Sequence, residues 1–331
     1  MPSSNNRFCS CPAKQAFIFL CVFTAVSLVS YNHLSKHANV SPNIANCTAT
    51  HTRPEPERNN LNNLYVSAAC FGRLGNTMFQ YASLLGIAHS NNRLEKAFYT
   101  TNSLLKNVFP TTHSSDRSSE CFTKIGEKGS ACYDPKFATL PETKNVTVSG
   151  YLQSWKYFHH IEDVIRREFT FLPLVANQAQ GRFRNLTEGR KSKVTQVIGI
   201  HARRGDYVRQ LEIGQFKLPP PSFFKKATEY FRSKYRDVLF LVVSQDPAWC
   251  KKHLTMDGVV IVPPSEASVH LSLLTLCDHT IVSLGSYGWW AGYLAGGEVV
   301  YYNNCVHPNM TAKKGFVPAD HYRPEWVGIG D

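Results

Sequence analysis

The chain has 331 residues, 43% of them hydrophobic and 18% charged, with a formal net charge of +12. That length and apolar content support a substantial core in one large or two ordinary domains. The charge favours an anionic partner such as anionic lipid or a phosphorylated small molecule. Lysine and arginine are scattered and no zinc-finger or RNA-binding signature occurs, which argues against nucleic acid.

The first feature along the chain is 16-AFIFLCVFTAVSLVSY-31, an uncharged apolar run with Arg7 and Lys14 before it and Lys36 after it. As a helix rising about 1.5 Å per residue it spans about 24 Å, short for a plasma membrane and near the thinner membranes of the early secretory pathway. A cleaved signal peptide is the alternative, because Ala25-Val26-Ser27 suits signal peptidase. The apolar run continues past that point and the positive flank precedes it. The expectation is therefore a single transmembrane signal anchor at 16–31, a cytoplasmic tail at 1–15 and a lumenal body. Residues 32–63, rich in Asn, Ser, Thr, Pro and His with no hydrophobic period, read as a stem.

Of ten cysteines, seven follow the apolar run: Cys47, Cys70, Cys121, Cys132, Cys250, Cys277 and Cys305. None has C-x-x-C spacing, which disfavours zinc, and in a lumenal compartment some are expected to pair as disulfides with one left over. Sequons at Asn46, Asn145, Asn185 and Asn309 are candidate N-glycosylation sites.

Order is expected from 64-LYVSAACFGRLGN-76, a short strand running into a glycine-bearing turn, with Asn76 able to cap the helix that follows. Residues 111–142 are polar and read as an irregular surface excursion, and 145-NVTVSGYLQSWKYF-158 as a strand leading into an aromatic segment. From Val194 the pattern is cleaner. Strands at 196–201, 238–243, 259–262, 280–283 and 299–302 alternate with helices from Ser222, near 247–253, at 265–277 and at 287–294. Short apolar strands alternating with helices predict parallel sheets covered on both faces. The fold class is thus α/β, with Rossmann-like halves at 64–190 and 191–331 facing each other.

Parallel sheets place ligands beyond the carboxyl ends of their strands. His201, Arg203, Arg204 and Asp206 stand where the strand 196-QVIGIH-201 ends, and two arginines there suit a diphosphate clamped bidentately. Asp206 is either a catalytic carboxylate or a partner that braces the turn. The tripeptide Arg204-Gly205-Asp206 also spells an adhesion motif, but it abuts a buried strand. At Ser283-Leu284-Gly285-Ser286 a strand gives way directly to a helix. The helix-start N–H groups, two hydroxyls and a glycine there form a candidate phosphate cradle, with a close-packed turn as the alternative. Trp289 and Trp290 read as core and interface packing. In 71-FGRLGN-76 the G-x-G-x-x-G spacing is missing; the segment is either a tight turn or a backbone wall of the interdomain cleft at Gly72, with Arg73 or Asn76 reaching the ligand. The chain contains no D-x-D, no P-loop and no G-x-S-x-G.

Four blocks in order resemble the galactoside α-1,2-fucosyltransferases: 72-GRLGNTM-78, 201-HARRGD-206, 273-LLTLCDHTIVSLGSYGWWAGYL-294 and 324-PEWVGI-329. The resemblance covers about residues 64–330, and the anchor and stem resemble the type II layout of Golgi enzymes. It implies a GT-B-like fold and inverting transfer of L-fucose from GDP-fucose, without a metal or other cofactor, to O2 of a terminal galactose on glycoprotein or glycolipid glycans. Other linkages, or a non-catalytic glycan-binding protein of this fold, are the alternatives. On this resemblance Arg204 clamps the leaving phosphate, and Arg203 and His201 hold the loop or the nucleotide. Ser283, Gly285 and Ser286 receive phosphate oxygens. One position departs: His270, with Glu266 one helical turn earlier, stands where vertebrate members carry an aspartate suited to guanine.

Overall fold

The protein is described from a computed structural model that covers residues 64–99, 105–111, 122–188, 194–205, 216–305 and 315–331. The first half runs β1 (Tyr65–Cys70), α1 (Leu74–Ser90), β2 (Leu94–Tyr99), β3 (Phe122–Gly126), β4 (Asn145–Ser149), α2 (Glu162–Glu168) and α3 (Pro173–Thr187). The second runs β5 (Gln196–Ala202), α4 (Pro221–Lys234), β6 (Val238–Ser244), α5 (Pro247–His253), β7 (Val259–Ile261), α6 (Ala267–Thr275) and β8 (His279–Val282). It closes with α7 (Ser286–Ala295), β9 (Val299–Tyr302), α8 (Pro318–His321) and β10 (Val327–Ile329).

The strands form two sheets, one of four strands in the order β2-β1-β4-β3 and one of six in the order β10-β9-β8-β5-β6-β7. Every pairing is parallel. In the six-stranded sheet β5 and β6 are the longest neighbours, in register from Gln196 opposite Val238 to Ala202 opposite Ser244. Their unbroken apolar runs follow from burial on both faces. Counted from β5, the order is that of a dinucleotide-type sheet: three strands added outward to one side, then three to the other. The chain therefore reverses direction between β5 and β8. The smaller sheet has its own reversal, between β1 and β4.

Glu55–Asp331 is one compact unit containing both sheets, and α1 packing on α7 joins them. Helix α1 is buried on nearly all sides, which fits its lack of a polar face. Its Gly75 lies so close to α7 that a Cβ there would sit 2.5 Å from the Tyr287 backbone nitrogen. Trp290 donates from Nε1 to the Gly75 carbonyl at 3.2 Å. Phe79 packs between Trp289 and Trp290, with ring centroids 4.6 and 5.1 Å away, and Phe158 stacks on Trp290. Both indoles are buried, as the sequence predicts. Each removes about 150–250 Å² from water, worth about 4–6 kcal/mol. The C-terminal segment ties back to the first half, where Asp320 pairs with Lys156 at 2.7 Å and accepts the Tyr133 N–H.

Three expectations need correction. The segment 111–142 is not wholly irregular: Phe122–Gly126 is an edge strand in register with β4. Its sequence, FTKIG, is half exposed and so carries no apolar run. Asn76 does not cap α1, which begins two residues earlier with Arg73 in the capping position. Cys70, Cys132, Cys250, Cys277 and Cys305 are free and buried, so the expected disulfides do not occur among them; Cys47 and Cys121 lie outside the described residues. Burial pushes the Cys70 thiol up to about 12. Among the described residues no helix is long and apolar enough to cross a membrane, and the anchor expected at 16–31 lies outside them.

Two glycine-to-alanine changes should shift stability in opposite directions. Gly75→Ala forces a methyl onto the α7 backbone and should cost about 1–3 kcal/mol in urea unfolding. Gly181→Ala, within α3 and with nothing within 4 Å of the added Cβ, should stabilise by about 0.5–1 kcal/mol.

Candidate active site

The C-terminal ends of β5 and β8 flank the reversal of the larger sheet. Beyond β5, the chain turns at Gly205, and two arginines project from Arg203 and Arg204. The carboxyl end of β6 holds both. Gln245 accepts from Arg203 Nη1 at 2.7 Å. The Arg204 guanidinium lies over the Trp249 ring, 3.9 Å from its centroid, and its Nε is 3.6 Å from Asp246 Oδ2. Asp246 in turn caps α5 by accepting the Trp249 N–H at 3.0 Å. A guanidinium on an indole face is held by the ring's negative quadrupole at about 0.5–2 kcal/mol. The Arg204 side chain is only 16% exposed, yet its Nε has no hydrogen-bond partner. A buried, charged donor left unspent in this way suits an anion supplied by a ligand.

Beyond β8, Gly285 takes φ +85°, a conformation favouring glycine, and α7 starts at the next residue. No side chain caps α7 and its first turn carries no acidic residue. The same is true of α1, which starts alongside it. The first N–H groups of a helix have no intrahelical acceptor, and the helix dipole adds positive potential there. Two such helix starts meet here. Asn76 Oδ1 accepts from Ser286 Oγ at 2.6 Å and from Gln153 Nε2 at 2.9 Å, so residues following β1, β4 and β8 join at one amide oxygen.

The predicted residues fall into three groups. Gly285, Ser286, Asn76 and Gly72 come together at the two helix starts, Arg203 is tied to the β8 side through Ser283, and Arg204 lies toward β6 against Trp249 and Asp246. Ser283 and His201 lie beneath them. Ser283 is buried, and its Oγ accepts the Arg203 N–H at 2.7 Å, bracing the arginine loop from below. His201 is 4% exposed, with its ring against Gly288 and 5.0 Å from the Tyr287 ring. Burial, and then the Arg203 charge, pull its pKa down to about 3. His270 points inward on α6 and donates from Nε2 to the Pro263 carbonyl at 3.1 Å, whereas Glu266 at the start of that helix is exposed. Asp206, Asn46 and Asn309 lie outside the described residues. Asn145 is half-buried and its Oδ1 accepts the Tyr65 N–H, while Asn185 is exposed on α3.

The sequence reading misses Gln245, Asp246 and Trp249. The segment 244-SQDPAW-249 reads plainly as a helix start, but nothing local shows that it faces the arginines across two strands. It also misses Glu127, which follows the edge strand β3. Among the described residues no cluster of three His, Cys, Asp or Glu side chains could hold a metal. A separate cavity lined by Arg166, Phe169, Gln180, Ser272 and Leu294 contains none of the residues above.

Residues 34–330 match glycosyl transferase family 11, and the chain belongs to that family. The galactoside 2-alpha-L-fucosyltransferase Sec1 of Mus musculus is 34% identical over 275 residues, 78% of this chain and 72% of the relative. The galactoside 2-alpha-L-fucosyltransferase SEC1 of Bos taurus is 30% identical over 340 residues, 99% of this chain and 90% of the relative. Among solved structures, a mutant of Arabidopsis thaliana FUT1 in complex with GDP is similar, with a TM-score of 0.47 and 14% identity. That likeness covers 84% of this chain and 77% of the other.

The buried histidines give stability a defined acid limb. His201 and His321, held near 3 and 4 by burial, cannot take up protons in the fold, whereas the unfolded chain does so below pH about 6.5. Their contribution is therefore complete above that pH and is lost as pH falls. Each should remove about 2 kcal/mol between pH 7 and pH 5, and His201→Leu should flatten the slope of urea midpoint against pH.

Proposed function

We propose that this chain is an inverting galactoside 2-α-fucosyltransferase of GT-B-like architecture, moving L-fucose from GDP-fucose to O2 of a terminal galactose on glycoprotein or glycolipid glycans. The observation that carries the reading is Arg204. It is a nearly buried guanidinium with an unspent donor, stacked on Trp249 beyond the carboxyl end of β5, the strand that borders the reversal of the larger sheet. Membership of glycosyl transferase family 11 and the names of its relatives support the donor and acceptor.

In the reaction, the acceptor oxygen bonds to C1 of fucose as the C1–O bond to the β-phosphate breaks. The electron pair leaves with GDP. Negative charge grows on that phosphate while the sugar becomes oxocarbenium-like. On this reading Arg204, Arg203 and the N–H groups starting α7 stabilise that charge, and preorganised donors stabilise a transition state without reorganising. On this reading the arginines and helix dipole do the work a bridging metal does elsewhere, consistent with the absence of D-x-D from the sequence. On the same reading the apolar run at 16–31 anchors the chain in the Golgi membrane as a single-pass type II protein, with its body in the lumen; the positive flank at Arg7 and Lys14 supports that orientation.

Incubated with GDP-fucose and a β-galactoside, the protein should transfer fucose to O2, as read by mass spectrometry and NMR of the product, and do so equally in EDTA. Arg204→Lys, which loses both the planar fork and the indole stack, should lower kcat/KM by about 10²-fold or more. Trp249→Ala should weaken GDP binding several-fold, to about tenfold. Transfer that is lost in EDTA and restored by a divalent ion overturns the metal-free mechanism. Absence of any transfer from GDP-fucose overturns the assignment.

A further inference from the structure

The smaller sheet also has a reversal, between β1 and β4, and the residues after those strands are unlike those after β5 and β8. Phe71 follows β1 and Tyr151 follows β4. Their rings are 5.2 Å apart at an interplanar angle of 54°, and Tyr151 is 39% exposed, among the described residues one of few large hydrophobic side chains so open to solvent. Beside them the residue after β3, Glu127, turns its carboxylate under the β4 turn. It accepts the Tyr151 N–H on one oxygen and the Leu152 N–H, at 3.0 Å, on the other. Each oxygen keeps a second lone pair. Gly150 makes the arrangement possible: with φ +143°, its missing Cβ would sit 2.3 Å from the Glu127 carboxyl carbon. This patch adjoins the phosphate cradle. Gln153, two residues beyond Tyr151, donates to Asn76, which also accepts from Ser286 at the start of α7, and Phe71 directly precedes Gly72.

We infer that this edge receives the acceptor sugar. Tyr151 with Phe71 forms the platform for the apolar face of the terminal galactose, and Glu127 takes the proton of the attacking hydroxyl. The inference rests on the transferase reading above. An aromatic face is negative at its centre and attracts the weakly positive C–H face of a pyranose. An open aromatic pair with one convergent carboxylate is the composition of a sugar subsite rather than of a phosphate site. In the step, the hydroxyl oxygen bonds to fucose C1, the C1–O bond to GDP breaks with its electron pair on the phosphate, and the hydroxyl proton passes to Glu127.

The carboxylate is suited to that role. Burial pushes its pKa up to about 7, against the lowering effect of the two backbone N–H groups, with Asp134 raising it further and Lys136 lowering it. The other ionisable groups facing it, Cys132 and Tyr157, are themselves raised by burial and so stay neutral. A base near 7 is ionised at working pH and still binds a proton well.

Four measurements on the whole chain decide it: acceptor KM, kcat, the pH profile, and GDP affinity by calorimetry. Wild-type kcat/KM should fall below pH about 7. Glu127→Gln should lose that limb and lower kcat by about 10²-fold or more while GDP affinity is kept. Tyr151→Ala should raise acceptor KM by about two- to tenfold with KM for GDP-fucose unchanged, and Tyr151→Phe, which keeps the ring, should recover the acceptor KM. A wild-type profile flat between about pH 5.5 and 8.5, or a Glu127→Gln protein that retains the limb, overturns the proton-accepting role. If Glu127→Gln loses GDP binding through misfolding, the wild-type profile alone decides. An unchanged acceptor KM in Tyr151→Ala overturns the platform. In each of these cases transfer by the wild type leaves the transferase assignment standing, whereas a wild type that transfers no fucose overturns both.

Discussion

The geometry of this protein depends on how closely α1 approaches α7. A helix pair normally keeps its axes about 8–10 Å apart because side chains stand between them. Here Gly75 removes the side chain at the crossing, so the Tyr287 backbone nitrogen comes within 2.5 Å of where a Cβ would be. Trp290 then closes the contact by donating to the Gly75 carbonyl, and Phe79 fills the space beside both indoles. Because α1 belongs to the smaller sheet and α7 to the larger, that contact, together with the packing of α3 on α6, sets the two sheets against each other. It also brings the two helix starts together, since both lie at the same end of their helices. The bridging of Asn76 to Ser286 and Gln153 is a consequence of this approach.

The arginines are organised by a different layer of the molecule. Neither Arg203 nor Arg204 is positioned by its own strand beyond the turn. Gln245, Asp246 and Trp249, all from the end of β6 and the first turn of α5, fix where the guanidinium groups point. Asp246 is shared between the cap of α5 and Arg204, and at 3.6 Å it balances charge without saturating the guanidinium's donors. A closer bidentate carboxylate would occupy two of the five guanidinium N–H donors and neutralise the charge that a phosphate needs. The observed spacing keeps a mostly buried cation stable and still able to bind.

Much of this was legible in the sequence. In the second half, apolar runs buried on both faces, separated by helices of which α4 and α5 have clear Pro or Asp starts, gave strand and helix positions to within a residue or two, and with them the strand ends where ligands gather. The arginine loop and the small-residue helix start were visible for that reason. What escaped is of two kinds. Edge strand β3 is short and half exposed, so its sequence resembles that of a loop, and Glu127 stayed hidden with it. The partners of the arginines escaped because they lie on a neighbouring strand, and strand order is set by tertiary packing, which no local spacing encodes. Ser283 shows the limit from the other side: a hydroxyl at a strand end suggested a phosphate ligand, and the fold uses it to hold the backbone of Arg203.

The division between the two strand-order reversals also has an electrostatic reason. A carboxylate within about 4–6 Å of a guanidinium has its pKa lowered by about 1–3 units, which leaves it ionised but a poor proton acceptor near neutral pH. A carboxylate placed beside the two guanidinium groups is subject to that constraint. Glu127 is not, because it sits on the other sheet, away from both arginines, where burial dominates and pushes it up to about 7. Stabilising a leaving phosphate calls for concentrated positive charge, and accepting a hydroxyl proton calls for a carboxylate shielded from that charge. For the acceptor site inferred above, placing the cations after β5 and the carboxylate after β3 meets both requirements.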